Sequence, residues 1–205
     1  MGLYNRYLLP RVVHLACSAR PIMKQRGKLV PLARGRVLEI GIGSGLNLPL
    51  YNPVNISGVW GLDPSQEMNK TAARAAQRVP FHVELVLAGS AEIPLESRSF
   101  DTLLMTYTLC TIADCEPALR EMARVLKPGG QLLFCEHGLS PDTSIRRWQN
   151  RITPLWRRLG GGCHLNRDIP DLIRKGGFEI TRMEMMYIPG WRPASFNFWG
   201  AARER

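Results

Sequence analysis

The chain is predicted to fold as an α/β protein whose sheet is mostly parallel and covered by helices on both faces. Three observations point there. Short, nearly continuous apolar runs recur near 37–40, 56–62, 83–88, 102–106 and 131–135, as expected for strands buried on both faces. Helical patterns lie between them: an alanine-rich stretch from Ser65 to Arg78, and Asp114 to Leu126 with Leu119, Met122, Ala123 and Leu126 on one face. The first apolar run also leads directly into a glycine-rich loop. Strand and helix therefore alternate, which is the order that builds a parallel sheet. With 205 residues and 45% hydrophobic content, the chain reads as one domain spanning 1–205.

The first strand, Val37 to Ile40, carries Glu39 and is followed by Gly41-Ile42-Gly43-Ser44-Gly45-Leu46-Asn47. Glycines at 41, 43 and 45 remove β-carbons that would hold a ligand off the backbone, and they allow positive φ at a sharp turn. A dinucleotide fingerprint needs glycine where Leu46 stands. The carboxylate of Glu39 would also repel a pyrophosphate. S-adenosylmethionine (SAM) carries an ammonium and a sulfonium and no phosphate, so an E-x-G-x-G-x-G loop suits its charge. The second strand ends Val59-Trp60-Gly61-Leu62-Asp63, placing an acid where doubly wound folds hold ribose hydroxyls. With Pro64, Ser65 and Glu67 behind it, Asp63 also reads as the N-cap of the next helix. The third element, Val86 to Leu95, ends in small and polar residues, and the fourth strand runs from Ser99-Phe100-Asp101 to Tyr107.

From Arg36 to Glu136 these residues resemble the class I SAM-dependent methyltransferases of the small-molecule type, with Arg120 to Gly130 matching the helix and turn before the fifth strand. Further matches narrow the resemblance to the alkyl-thiol methyltransferases and their bacterial relatives: Thr108-Leu109-Cys110, Cys135-Glu136-His137, Trp148-Gln149, Pro154-Leu155-Trp156 and Gly162-Cys163-His164-Leu165-Asn166-Arg167. The quinone-biosynthesis C-methyltransferases are the nearest competing relatives. The resemblance implies a Rossmann-like fold with seven strands, the last one, within Phe196 to Ala202, antiparallel. The chain divides into a cofactor half (34–137) and a substrate-side half (138–205), preceded by a basic, lid-like segment (1–33) that departs from the hydrophobic membrane anchor of the thiol methyltransferases the chain resembles. The resemblance also implies that Glu39 and the loop (Gly41, Ile42, Gly43, Gly45, Asn47) meet the methionine end with the carbonyl near Thr106. Asp63 would hold the ribose, and Pro64 and Met68 would pack near the adenine. Ser90 stands where the family usually has an aspartate for the adenine amino group, and Ala91 would present a backbone N–H.

A sulfonium-borne methyl is already activated, so the enzyme has to align a nucleophile, exclude water and handle one proton. Alignment can supply about 7–11 kcal/mol of the barrier. A thiol, with a pKa near 8.5, needs less deprotonation than a phenol near 10. The expected reaction is methyl transfer to a small, fairly apolar acceptor with a thiol leading, and a quinone- or phenol-type C- or O-acceptor as the alternative. His137, just past the fifth strand, is the first candidate for base or orienting group, against a structural pairing with Glu136. His164, in a glycine-rich turn, is the second. His14 and His82 read as a packed and an outward-facing residue.

Five cysteines without metal-ligand spacing point to a reducing, cytoplasmic setting. No metal is expected, since Cys163-His164 offers two ligands and no second pair. The net charge is +10, and the first 36 residues hold six arginines, two lysines and no acid. Tyr4, Tyr7, Leu8, Val12 and Leu15 give that stretch an amphipathic flavour, which Pro10 is expected to interrupt. Arg146, Arg147, Arg151, Arg157 and Arg158 form a second cluster, read as a solvated helix face. Peripheral membrane contact through the basic N-terminus is the most that this supports. A nucleic-acid substrate is not expected, because Thr106-Tyr107-Thr108-Leu109 replaces the N/D-P-P-Y/F loop of base amino-group methylation. Oligomeric state is not legible in the sequence.

Overall fold

The computed structural model describes residues 8–205. Tyr4 and Tyr7 of the amphipathic N-terminal reading lie outside them. Seven strands form one sheet: β1 (Gly35–Ile40), β2 (Ile56–Leu62), β3 (Val83–Val86), β4 (Phe100–Thr106), β5 (Leu126–His137), β6 (Phe178–Tyr187) and β7 (Phe196–Glu204). Their spatial order is β3-β2-β1-β4-β5-β7-β6. The first five pair in parallel, and β7 lies antiparallel to both β5 and β6. This is the seven-stranded Rossmann-like arrangement that the alternation and the resemblance imply.

Side-chain alternation explains why the strands read as continuous apolar runs. Leu38, Ile40, Leu103, Met105, Leu132 and Phe134 pack into one core, while Val37, Leu104, Leu133 and Cys135 pack into another across the sheet. Helices α4 (Cys115–Val125) and α6 (Ile169–Lys175) cover the first core with Ala118, Leu119, Met122, Ile169 and Ile173. Helices α2 (Arg20–Leu29) and α3 (Gln66–Ala76) cover the second with Leu29 and Ala72. Strand order reverses beside β1, so the ends of β1 and β4 open a crevice at the carboxyl edge of the sheet, where such folds bind ligands.

Several boundaries differ from the sequence reading. β3 stops at Val86, before the exposed Leu87, because the chain there turns outward to wall the crevice. β5 is longer than its apolar core, since register with β4 carries pairing back to Leu126. Pro10 does not interrupt a helix: it occupies the first turn of α1 (Leu9–Cys17), where its missing N–H costs nothing. Helix α5 (Thr143–Leu159) carries the second arginine cluster. Buried Gln149 on α5 fastens that helix to the sheet edge, donating to the carbonyls of Gly138, Leu165 and Pro193 and accepting from Ser140 N. Among the described residues no helix is long and apolar enough to cross a membrane.

Candidate active site

The crevice has a volume of about 1120 Å³, just above the roughly 300–1,000 Å³ of small-molecule sites. Its floor is the glycine loop, and the three glycines do different work. A β-carbon at Gly43 would meet nothing nearer than Gly41 O at 3.9 Å, so its bare Cα faces open space for a ligand. At Gly41 the same atom would sit 2.5 Å from the Thr108 side chain, and at Gly45 it would press on Leu48 and Ala75 at 3.0 and 3.1 Å. All three have positive φ. Only Gly43, then, serves close approach by a ligand; Gly41 admits the turn after β4, and Gly45 lets α3 pack.

Glu39 lies beneath this floor and does not line the crevice. One of its oxygens accepts from Asn47 Nδ2 at 2.8 Å and the other from Tyr51 OH at 2.7 Å. Burial pushes its carboxyl up to about 7, against the pull of those two hydrogen bonds and of Arg26. The direct contact expected of Glu39 is therefore corrected. Glu39 is 1% exposed, with its two oxygens turned to Asn47 and Tyr51 and away from the crevice, so it acts there through Asn47 and through its field. Asn47 and Gly45 likewise stand behind the wall.

Arg26, which sequence reasoning missed, supplies the cation at this point. It reaches from α2 to line the crevice, donates from Nη1 to Asn47 Oδ1 at 2.9 Å and to Thr106 Oγ1, and lies 5.2 Å from the centre of the Tyr107 ring. Its Nε is buried, with no hydrogen-bond partner among the described residues. The acid-free N-terminal stretch signalled positive charge there, but nothing in the sequence singled out this residue. Tyr107 adopts φ +54°, held by its N–H to Cys135 O at 2.8 Å and its hydroxyl to Asn197 Oδ1 at 2.6 Å. Such a conformation costs a non-glycine residue of order 1–3 kcal/mol and clusters at functional sites.

Asp63 ends β2 at the crevice wall, accepting from Gly43 N at 3.0 Å and Ser65 N at 2.8 Å. Burial raises its pKa above the ordinary carboxylate value. The N-cap of α3 is Ser65, whose hydroxyl accepts from Met68 N, so the capping alternative for Asp63 falls away. Each Asp63 oxygen keeps a free lone pair for a ribose hydroxyl. Ile42, Pro64, Met68, Ser90, Ala91 and Thr106 line the same crevice.

Three of the four histidines sit elsewhere than expected, while His82 faces outward as read. His137 is buried behind Tyr107, its ring stacked at 20° with centroids 6.4 Å apart, and it does not line the crevice. Its Nε2 meets Cys163 Sγ at 3.2 Å, and neither ring nitrogen bonds Glu136. Burial disfavours its protonated form, but the contact with Cys163 outweighs this and raises its pKa. Cys163 in turn is held well below the ordinary thiol value, first by Cys110 beside it and then by His137. Glu136 Oε1 accepts instead from Thr108 N and Leu109 N at 2.8 and 3.1 Å, shaping the turn after β4. His164 docks on Cys110 O through its backbone N–H at 2.8 Å and Nδ1 at 3.1 Å. His14, expected to be packed, reaches from α1 to Ser44 Oγ at 2.7 Å and lines the crevice. From the region beyond Ser140, Gly160 and Gly161 reach it.

These groups fit SAM. The Arg26 side chain, a cation lining the crevice, suits its carboxylate, the acid pair of Glu39 and Asp63 its positive charge and ribose, and the open face at Gly43 a close backbone approach. Fold and crevice together define a SAM-binding methyltransferase site. A family profile described as "Methyltransferase domain" matches residues 38–134. Thiol S-methyltransferase TMT1B of Rattus norvegicus is 33% identical over 166 residues, 79% of this chain and 65% of that protein. Its Homo sapiens counterpart is 33% identical over 177 residues, 83% of this chain and 72% of that protein. This chain thus spans 65% of the length of the rat relative. A solved SAM-dependent methyltransferase from Thermotoga maritima aligns with TM-score 0.62 at 23% identity, covering 98% of this chain and 93% of that one, a likeness of fold. The chain belongs to the class I SAM-dependent methyltransferases.

Proposed function

We propose that the enzyme methylates the sulfur of a small, fairly apolar thiol. The observation that carries this reading is the crevice wall beyond the cofactor loops, built from Leu9, Pro10, Val13 and Cys17 of α1, Ile112, and Gly160 and Gly161. Such a wall selects by shape and apolar contact, and it suits an acceptor that ionises with little help. Thiol S-methyltransferases at 33% identity support the same choice.

When bound, SAM supplies a methyl group activated by its sulfonium; the chain's own residues do the rest. Of the residues lining the crevice, Arg26 would hold the carboxylate end, Asp63 would accept from the ribose hydroxyls, and Ser90 and Ala91 would border the adenine. Ser90 can donate or accept where the family's aspartate only accepts. Helix α1, tied to the loop through His14 and Ser44, roofs the crevice and excludes water. The acceptor's proton leaves to solvent, as the low pKa of a thiol permits. The five free cysteines accord with a cytoplasmic setting.

A methyl-transfer screen with labelled SAM against alkyl thiols, phenols, quinols and amines tests the reading. Turnover of thiols ahead of the other classes is expected. Preferential labelling of quinols or phenols would replace the thiol assignment.

A further inference from the structure

Three side chains from distant parts of the chain converge just behind the crevice. Cys110 stands in the turn after β4, His137 ends β5, and Cys163 lies in the glycine-rich turn after α5. Their ligand atoms, two Sγ and Nε2, all lie within 4.8 Å of one another, with Cys110 and His137 buried and Cys163 half-buried. The two turns are stitched together by the paired contacts of His164 to Cys110 O. We propose that Cys110, His137 and Cys163 hold one zinc-class divalent cation.

The chemistry of the donors selects the ion. Two sulfurs and an imidazole nitrogen suit zinc and disfavour calcium or magnesium, which require oxygen. Spacing agrees as well. Zn–S near 2.3 Å and Zn–N near 2.0 Å at a tetrahedral angle place sulfur and nitrogen about 3.5 Å apart, against 3.2 Å between Cys163 Sγ and His137 Nε2. Two thiolates and a neutral imidazole cancel the charge of a divalent ion, so the loaded site can stay buried without an unpaired charge. Three protein ligands leave a fourth position open. Sequence spacing could not show the site, because its members are brought together only by the sheet edge. The expected absence of metal, drawn from the Cys163-His164 pair, weighed the wrong partner: the histidine that faces Cys163 is His137.

The full-length chain, reduced and dialysed, is titrated with zinc and with cobalt(II). One equivalent bound, with a thiolate-to-cobalt charge-transfer band and the visible bands of a tetrahedral ion, is expected. Cys163→Ser and His137→Asn should each lose the charge-transfer spectrum or shift it and weaken binding, whereas Cys115→Ser, outside the trio, should keep both. A second readout needs no variant: bound zinc should protect Cys110 and Cys163 from maleimide labelling, read by peptide mass spectrometry. The site is refuted by substoichiometric cobalt without a charge-transfer band, by wild-type binding in both trio variants, or by equal labelling with and without zinc. None of these measurements depends on which acceptor the enzyme methylates.

Discussion

Replacing Arg26 by methionine removes the one cation in the polar cluster under the crevice while keeping an unbranched side chain of similar reach. The guanidinium is 5% exposed and joins Asn47 and Thr106 beside buried Glu39. Arg26 does not touch Glu39 but acts on it through Asn47 and through its charge; its removal leaves buried polar partners unsatisfied, at about 1–3 kcal/mol, and the cost depends on pH through Glu39. That carboxyl is already raised to about 7 from 4.5, so the folded state binds its proton more tightly than the unfolded state. Stability from this group is therefore fullest below the unfolded value and declines as pH rises through about 7. Without Arg26 the folded pKa climbs further, and the decline becomes deeper. The stability gap between wild type and Arg26→Met should accordingly be wider at about pH 8 than at pH 6. Loss of a charge-assisted contact to the cofactor's carboxylate, worth about 1.5–3 kcal/mol, should weaken SAM binding roughly 10- to 150-fold. Urea unfolding at the two pH values gives the first quantity. Titration calorimetry with SAM at the lower pH, where circular dichroism confirms a folded variant, gives the second. A stability gap independent of pH, or unchanged SAM affinity in the folded variant, would refute this electrostatic account.

Asp63→Ala should weaken SAM binding at least about tenfold, because the ribose hydroxyls lose their acceptor; unchanged affinity by calorimetry would remove Asp63 from the site. Gly43→Ala should cost about 1–2 kcal/mol for its positive φ and reduce SAM affinity disproportionately. Gly41→Ala, whose β-carbon would lie 2.5 Å from Thr108, should instead show mainly as lost thermal stability; the opposite division would reverse the roles given to these glycines. Glu39→Gln should flatten the pH profile: wild type, with this carboxyl raised from 4.5 to about 7, should lose about 2.5 kcal/mol of stability between about pH 5 and 8 through this group, and the variant almost none. Parallel profiles in denaturant titrations would show that Glu39 ionises normally.

What was legible in the sequence is what local pattern dictates. Buried parallel strands show as apolar runs, because both of their faces meet cores, and this placed β1, β2 and β4 to within two residues or so. Glycine, Asp63 and the small residues after β3 were readable because a ligand site at strand ends needs bare backbone and one acid. What escaped depends on chain segments meeting in space. Arg26 lies 21 residues from Asn47 and 80 from Thr106, and no local rule links a helix arginine to a strand-end threonine. His137 was placed at the correct rim, but its ring turns toward Cys163, a partner 26 residues on that only the closing of α5 onto the sheet provides. Glu39 was assigned a contact that its burial beneath the loop denies it, with both oxygens turned to Asn47 and Tyr51, a placement invisible without coordinates.

Arg26 and Glu39 together also explain why the N-terminal helices belong to the cofactor site and do more than cover it. SAM presents a carboxylate and an ammonium a few bonds apart, and a site of one sign would attract one and repel the other. Here the negative group is supplied by β1 and the positive group by α2, and Asn47 bonds to both. In the low dielectric beneath the loop, each charge acts over several ångströms more strongly than it would in water, so Glu39 need not touch the ligand to favour a cation above it. Helix α2 brings Arg26 to the crevice beside Asn47, while α1, two residues earlier in the chain, brings Leu9, Val13 and Cys17 to its wall and His14 to Ser44. The N-terminal helices thus supply both a charge beside the loop and an apolar wall, which makes them part of the crevice itself and not a cover laid over it.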